Sequence, residues 1–176
     1  MSEPLHFEEL RVGDCWRSRA RTITEADIVN FAGITGDFDP LHVDHEAAAA
    51  SPFGQPIAHG LLGLSFVAGL SSYHPSVQTA AFIAIREWEF ALPLFVGDTV
   101  YVENSVIELE PSSRRHGRVL WERRLINQKG EVVQKGRLET LVTTRQERLR
   151  RRDGAAARDH QPGPHTSIRE FSQESQ

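Results

Sequence analysis

A carboxylate and an imidazole stand five residues apart in Gly36-Asp37-Phe38-Asp39-Pro40-Leu41-His42. Held close together, Asp37 and His42 would form an acid/base pair able to work near neutral pH. Pro40 fixes its own φ and pushes Asp39 out of the α region, so the segment between them is stiff. A second phrase follows, Pro56-Ile57-Ala58-His59-Gly60-Leu61-Leu62, and runs into an apolar stretch. If that stretch is a helix, its first backbone N–H groups lack partners within it and can face developing negative charge. An acid/base pair beside such donors suits chemistry on a carbonyl compound.

The elements that must hold these groups are legible in outline. Thr24 is a good helix N-cap, with Asp27 three residues on as in a capping box. Ile28, Phe31 and Ala32 then fall at helical spacing, and the helix is expected to fray near Gly33–Gly36. That places Asp37–His42 on the loop after a helix. Asp44 can cap a short helix over 45–50, which Ser51-Pro52-Phe53-Gly54 breaks. Residues 60–73 are apolar on nearly every side, which predicts a buried helix. Gly63 and Gly69 within it would let another backbone come close, as a sheet wrapped around the helix requires.

The remainder reads as strands. Residues 80–92 form one long extended segment, and Leu94-Phe95-Val96-Gly97-Asp98 turns into a strand over 99–109. Strands over 118–126 and 131–144 pair around Asn127-Gln128-Lys129-Gly130, a hairpin signal. Alternation puts Val132, Leu138, Thr140 and Val142 on one face. Helices first and antiparallel strands after favour the α+β class. Residues 5–19 read as an N-terminal segment with a turn at Val12-Gly13-Asp14. Residues 1–148 are expected to form one domain. Residues 149–176, polar and poor in core formers, are expected to be a disordered tail. The arginine run Arg148–Arg152 reads as a solvated helix end.

Bulk properties narrow the function classes. A chain of 176 residues suits one domain. A net charge of −4 carries no basic footprint for nucleic acid. One cysteine, Cys15, forbids an intrachain disulfide, which fits a cytoplasmic location, and it is expected to be a small buried residue. No signal peptide and no bilayer-spanning run are expected.

At these residues the chain resembles the MaoC-like dehydratases, the (R)-specific enoyl-CoA hydratase family. The matching pieces are Gly36–His42 with Val43-Asp44 and the alanines after them, His59-Gly60-Leu61-Leu62, and Leu94-Phe95-Val96-Gly97-Asp98-Thr99. The resemblance spans roughly residues 7–144. It implies a single hot-dog fold, an antiparallel sheet wrapped around a long central helix, and pairing into homodimers through the sheets. It also implies action on an acyl-CoA thioester, with no metal or redox cofactor and with coenzyme A as part of the substrate. Carried over by position, Asp37 and His42 resemble the catalytic dyad. Gly60 resembles the glycine whose N–H binds the thioester oxygen. Asp39 departs from the asparagine of many members, adding a negative charge beside the pair or facing solvent. Some members carry a serine where the count gives Ala68, and Ser65 lies one turn earlier.

The implied activity is reversible addition of water to a trans-2-enoyl-CoA, giving an (R)-3-hydroxyacyl-CoA. Alternatives are a hot-dog acyl-CoA thioesterase, or a non-catalytic acyl-CoA-binding or heterodimer subunit. Plainer roles stand beside these. Asp37 alone suits a turn, His42 alone a structural hydrogen bond, and Gly60 alone a packing glycine. His42, His45 and His59 could suggest a metal site, but no further ligand cluster completes a standard one. Arg86, Arg114 and Arg115 could meet coenzyme A phosphates, and Trp16, Trp88 and Trp121 read as core or interface aromatics.

Overall fold

The computed structural model describes residues 3–147, so the arginine run and the polar tail lie outside the described residues. A single 3-10 turn, Phe7–Glu9, leads to β1 (Cys15–Arg17) and β2 (Arg21–Thr22). Helix α1 (Glu25–Thr35) begins where Thr24 Oγ1 accepts from the Asp27 N–H and Asp27 accepts from the Thr24 N–H. Gly33 does not end this helix. It ends at Gly36, whose φ of 79° is the left-handed cap that glycine adopts at little cost.

Two short helices follow. Asp39 caps α2 (Pro40–Val43) by accepting from the Leu41 N–H, with Pro40 at the first helical position. Asp44 caps α3 (His45–Ala49) by accepting from the Glu46 and Ala47 N–H groups. His42 therefore sits on a helical turn and not on the expected loop. Asp39 spends its exposed carboxylate on that cap. Helix α4 (Gly60–Ser71) comes next, and then β3 (Thr79–Phe90), β4 (Thr99–Pro111), β5 (His116–Ile126) and β6 (Val132–Thr143).

The sheet order is β1-β4-β5-β6-β3, with β2 also on β4, and every pairing is antiparallel. This is the hot-dog arrangement, α+β, with the sheet curled around one face of α4. Alternation along β5 sends Val119, Trp121, Arg123 and Leu125 inward. Ile23, Ile28, Leu62, Phe66, Val67, Val100 and Val102 make one core cluster between helices and sheet. Leu10, Val106, Val119, Trp121 and Val142 make a second. Each large apolar side chain so buried contributes about 1.5–3 kcal/mol.

Two expectations fail here. Helix α4 is not buried all round: Leu62, Gly63, Phe66 and Val67 face the sheet, while Leu61 is 59% exposed and Ser65, Ala68 and Gly69 lie outside. One sheet covers one side of a helix, and among the described residues the other side stays open at Leu61, Ser65, Ala68 and Gly69. Cys15 is exposed, because β1 turns Trp16 toward Trp121 and so turns its neighbours outward.

Close approach between α4 and the sheet occurs at Gly63, where a Cβ would overlap the Gln134 amide; Gly69 faces open space. At Gly136 a Cβ would overlap the Glu87 carbonyl oxygen on β3, a backbone atom that cannot swing aside. Gly136→Ala is therefore expected to cost about 1–3 kcal/mol. It should lower the urea midpoint with little change in slope, and an unchanged midpoint would contradict this packing.

Candidate active site

The site forms where the ends of α1, α2 and α4 meet. Asp37 follows the left-handed Gly36, and its side chain accepts from the Asp39 N–H at 3.3 Å. On α2, the His42 ring stacks on His59 with centroids 3.8 Å apart and planes 30° apart. A carboxylate oxygen of Asp37, a ring nitrogen of His42 and one of His59 lie within 4.8 Å of one another. His59 is the N-cap residue of α4 and Gly60 its first helical residue, so Gly60 carries an N–H with no acceptor inside the helix. The three residues singled out in the sequence converge here, with Asp37 more than half exposed and His59 buried.

Backbone carbonyls set the histidine tautomers. His42 Nδ1 lies 2.7 Å from the Ile57 carbonyl, which can only accept, so Nδ1 carries the proton and neutral His42 keeps its lone pair on Nε2. His59 Nε2 donates to the Asp37 carbonyl at 2.9 Å and lies 3.9 Å from Oδ2 of the same residue. His59 thus ties the Asp37 loop to the start of α4 and gives His42 a flat surface to rest on. Phe31 packs on its ring at 5.1 Å.

As a metal site the cluster is poorly arranged. Stacked imidazoles aim their in-plane lone pairs along similar directions, whereas a tetrahedral ion needs them to converge. His45, the other histidine of the sequence-based set, turns away to pair with Glu25 at 2.9 Å. Ser65 Oγ donates back to the Leu61 carbonyl within α4, so it does not replace the serine absent at Ala68.

A cavity of about 320 Å³ opens beside the pair, lined by His42, Phe53, Ile57, Gly60, Phe90 and Leu94 among others. Gln134 also lines it, a residue the sequence reading passed over. Its Nε2 donates to the Gly60 carbonyl at 3.0 Å, and its Oε1 accepts from Trp88 Nε1 at 3.2 Å. A buried amide on a core-facing strand position, opposite a helix glycine, was the available signal. The three arginines weighed as phosphate contacts lie elsewhere: Arg86 pairs with Glu139 and Arg115 with Glu147, and no Arg114 side-chain contact stands among those described. His59→Phe keeps an aromatic face for His42 but leaves the Asp37 carbonyl without its donor. The expected cost is about 1–3 kcal/mol in thermal unfolding, with faster amide exchange over residues 37–39. Unchanged exchange there would remove the anchoring role.

Comparison with known proteins places the chain among relatives of known family. The sequence profile of the MaoC-like domain matches residues 11–121. A 3-hydroxybutyryl-CoA dehydratase of Methylorubrum extorquens is 37% identical over 111 residues, 63% of this chain and 69% of that protein. An (R)-specific enoyl-CoA hydratase of Rhodospirillum rubrum is 30% identical over 140 residues, 80% of this chain and 93% of that one. The crystal structure of a MaoC-like dehydratase from Rhodospirillum rubrum superposes with a TM-score of 0.69 at 31% identity, covering 80% of this chain and 98% of that one. With the profile matched across more than half its length, the chain belongs to the MaoC-like domain family.

Proposed function

We propose that the protein is a hydro-lyase that adds water reversibly to a trans-2-enoyl-CoA, giving the (R)-3-hydroxyacyl-CoA. The observation that carries this is the approach of Asp37 and His42 beside the first turn of α4, with His42 and Gly60 on the wall of a mostly apolar cavity. The names of the relatives, hydratase and dehydratase, support the same reaction class.

The chemistry needs a water oxygen at Cβ and a proton at Cα. One water held between Asp37 and His42 can supply both. The pair takes one proton from the water as its oxygen bonds to Cβ and returns one proton to Cα, so the dyad ends as it began. The lone pair on His42 Nε2 suits it to hold or deprotonate that water. As the C=C bond opens, negative charge moves onto the thioester oxygen. The Gly60 N–H, aligned with the positive end of the helix dipole, stabilises that charge where it develops. Addition from the single face that the dyad occupies gives one enantiomer. No step calls for a metal or redox cofactor.

Gly60 also limits what may approach. A Cβ there would lie 3.1 Å from the Phe90 ring, on the cavity side. The edge strand β3 carries exposed Phe82, Ile85 and Phe90. An unpaired edge with such side chains favours a second copy, and we take a homodimer as the working form.

Asp37→Asn and His42→Ala are each expected to lower kcat for crotonyl-CoA hydration by about 100-fold or more, with folding retained. Loss of the enoyl absorbance without thiol release, and an (R) product on chiral analysis, is the expected wild-type result. Thiol release would instead indicate a thioesterase. Full activity in both variants would remove the dyad.

A further inference from the structure

A second cavity, of about 200 Å³, lies toward the far end of α4, bounded by the sheet and by Ser71, Asn104, Trp121, Arg123 and Thr140 among others. It shares no lining residue with the cavity beside the dyad. Its polar walls are almost all satisfied. Ser71 Oγ donates to Asn104 Oδ1 at 2.8 Å, Asn104 Nδ2 donates to the His74 carbonyl at 2.7 Å, and Trp121 Nε1 donates to Thr140 Oγ1 at 2.9 Å.

Arg123 is the exception. It occupies a core-facing position of β5, between Trp121 and Leu125, and is 9% exposed. Its Nε has no hydrogen-bond partner, and no carboxylate pairs with it among the described residues. The Trp121 ring lies 5.7 Å from its Cζ. Burial draws its pKa down to about 10, so it stays charged at neutral pH. An unpaired buried cation is costly, and an interior of this kind ordinarily supplies a counter-charge or an apolar residue instead. A planar guanidinium in a half-apolar pocket matches a carboxylate at the end of a carbon chain.

We propose that this cavity is a carboxylate subsite, in which Arg123 receives the far end of an acyl group that carries an ω-carboxylate. By the helix rise of about 1.5 Å per residue, the Ala68 wall of the cavity stands on the order of 12 Å from Gly60. An extended acyl chain of medium length has that reach. The substrate class is then a dicarboxylic enoyl thioester, and this part of the assignment rests on the hydratase reading for the other end.

The test compares two medium-chain enoyl-CoAs of equal length, one ending in a carboxylate and one in a methyl group. Wild-type protein is expected to favour the carboxylated one by about tenfold to a hundredfold in kcat/KM, the size of a charge-assisted hydrogen bond. Arg123→Met should erase the preference and leave crotonyl-CoA hydration unchanged. Ser72→Phe, at an exposed position on the cavity wall, should do the same without touching the buried charge. In a second arm, free octanoate is titrated against thermal unfolding. A rise in Tm that both variants lose, without a kinetic preference, assigns the subsite to a free carboxylate. A kinetic preference lost in both variants assigns it to the substrate's own end. Neither a preference nor a shift in wild type, or either one surviving both variants, overturns the subsite. Absence of hydration with every enoyl-CoA while the octanoate shift persists would sink the hydratase reading alone.

Discussion

The contact between α4 and β6 at Gly63 and Gln134 governs the geometry of everything else. The missing side chain at Gly63 lets the Gln134 amide lie flat against the helix. There it donates to the Gly60 carbonyl and accepts from Trp88. A buried amide so satisfied is a rigid spacer, because any shift of helix against sheet leaves a polar group unpaired. The first turn of α4 is therefore held at one height over the sheet. That turn carries the Gly60 N–H, the His59 ring and, through them, the Asp37 loop.

The dyad depends on this placement through backbone groups more than through charge. His42 is oriented by the Ile57 carbonyl and Asp37 by His59, the residue from which α4 starts. Three separate helices thus share one small cluster of polar contacts, and each is short or ends there. Gly36 allows the reversal from α1, and Pro40 starts α2 at once, so two imidazoles and a carboxylate meet within a few ångströms.

The elements were largely legible because their signals are local. The Thr24–Asp27 box, the Asp44 cap, the turn before Gly130 and the alternation of β4 to β6 act over a few residues. The convergence of Asp37, His42 and Gly60 was anticipated from the spacing of two phrases and their resemblance to a family. Where local signals misled, the cause was tertiary. The α4 residues are apolar on both sides, yet only one side meets the sheet. Cys15 looked like a buried residue until the inward turn of Trp16 fixed the opposite face of β1.

By itself the sequence determined the class of fold, the order of its elements and the residues with reactive side chains, since periodicity, caps and residue chemistry belong to the chain. Only the tertiary structure decided how those residues relate. It stacked His59 on His42, set both tautomers through carbonyls distant in sequence, and drew Gln134 against Gly63. It also turned Arg123, one of several arginines in a polar-looking strand, into a lone buried charge facing a cavity. The physical reason is common to all of these. Desolvation and hydrogen-bond satisfaction depend on neighbours brought together by folding, and no spacing along the chain encodes which neighbour a side chain will meet.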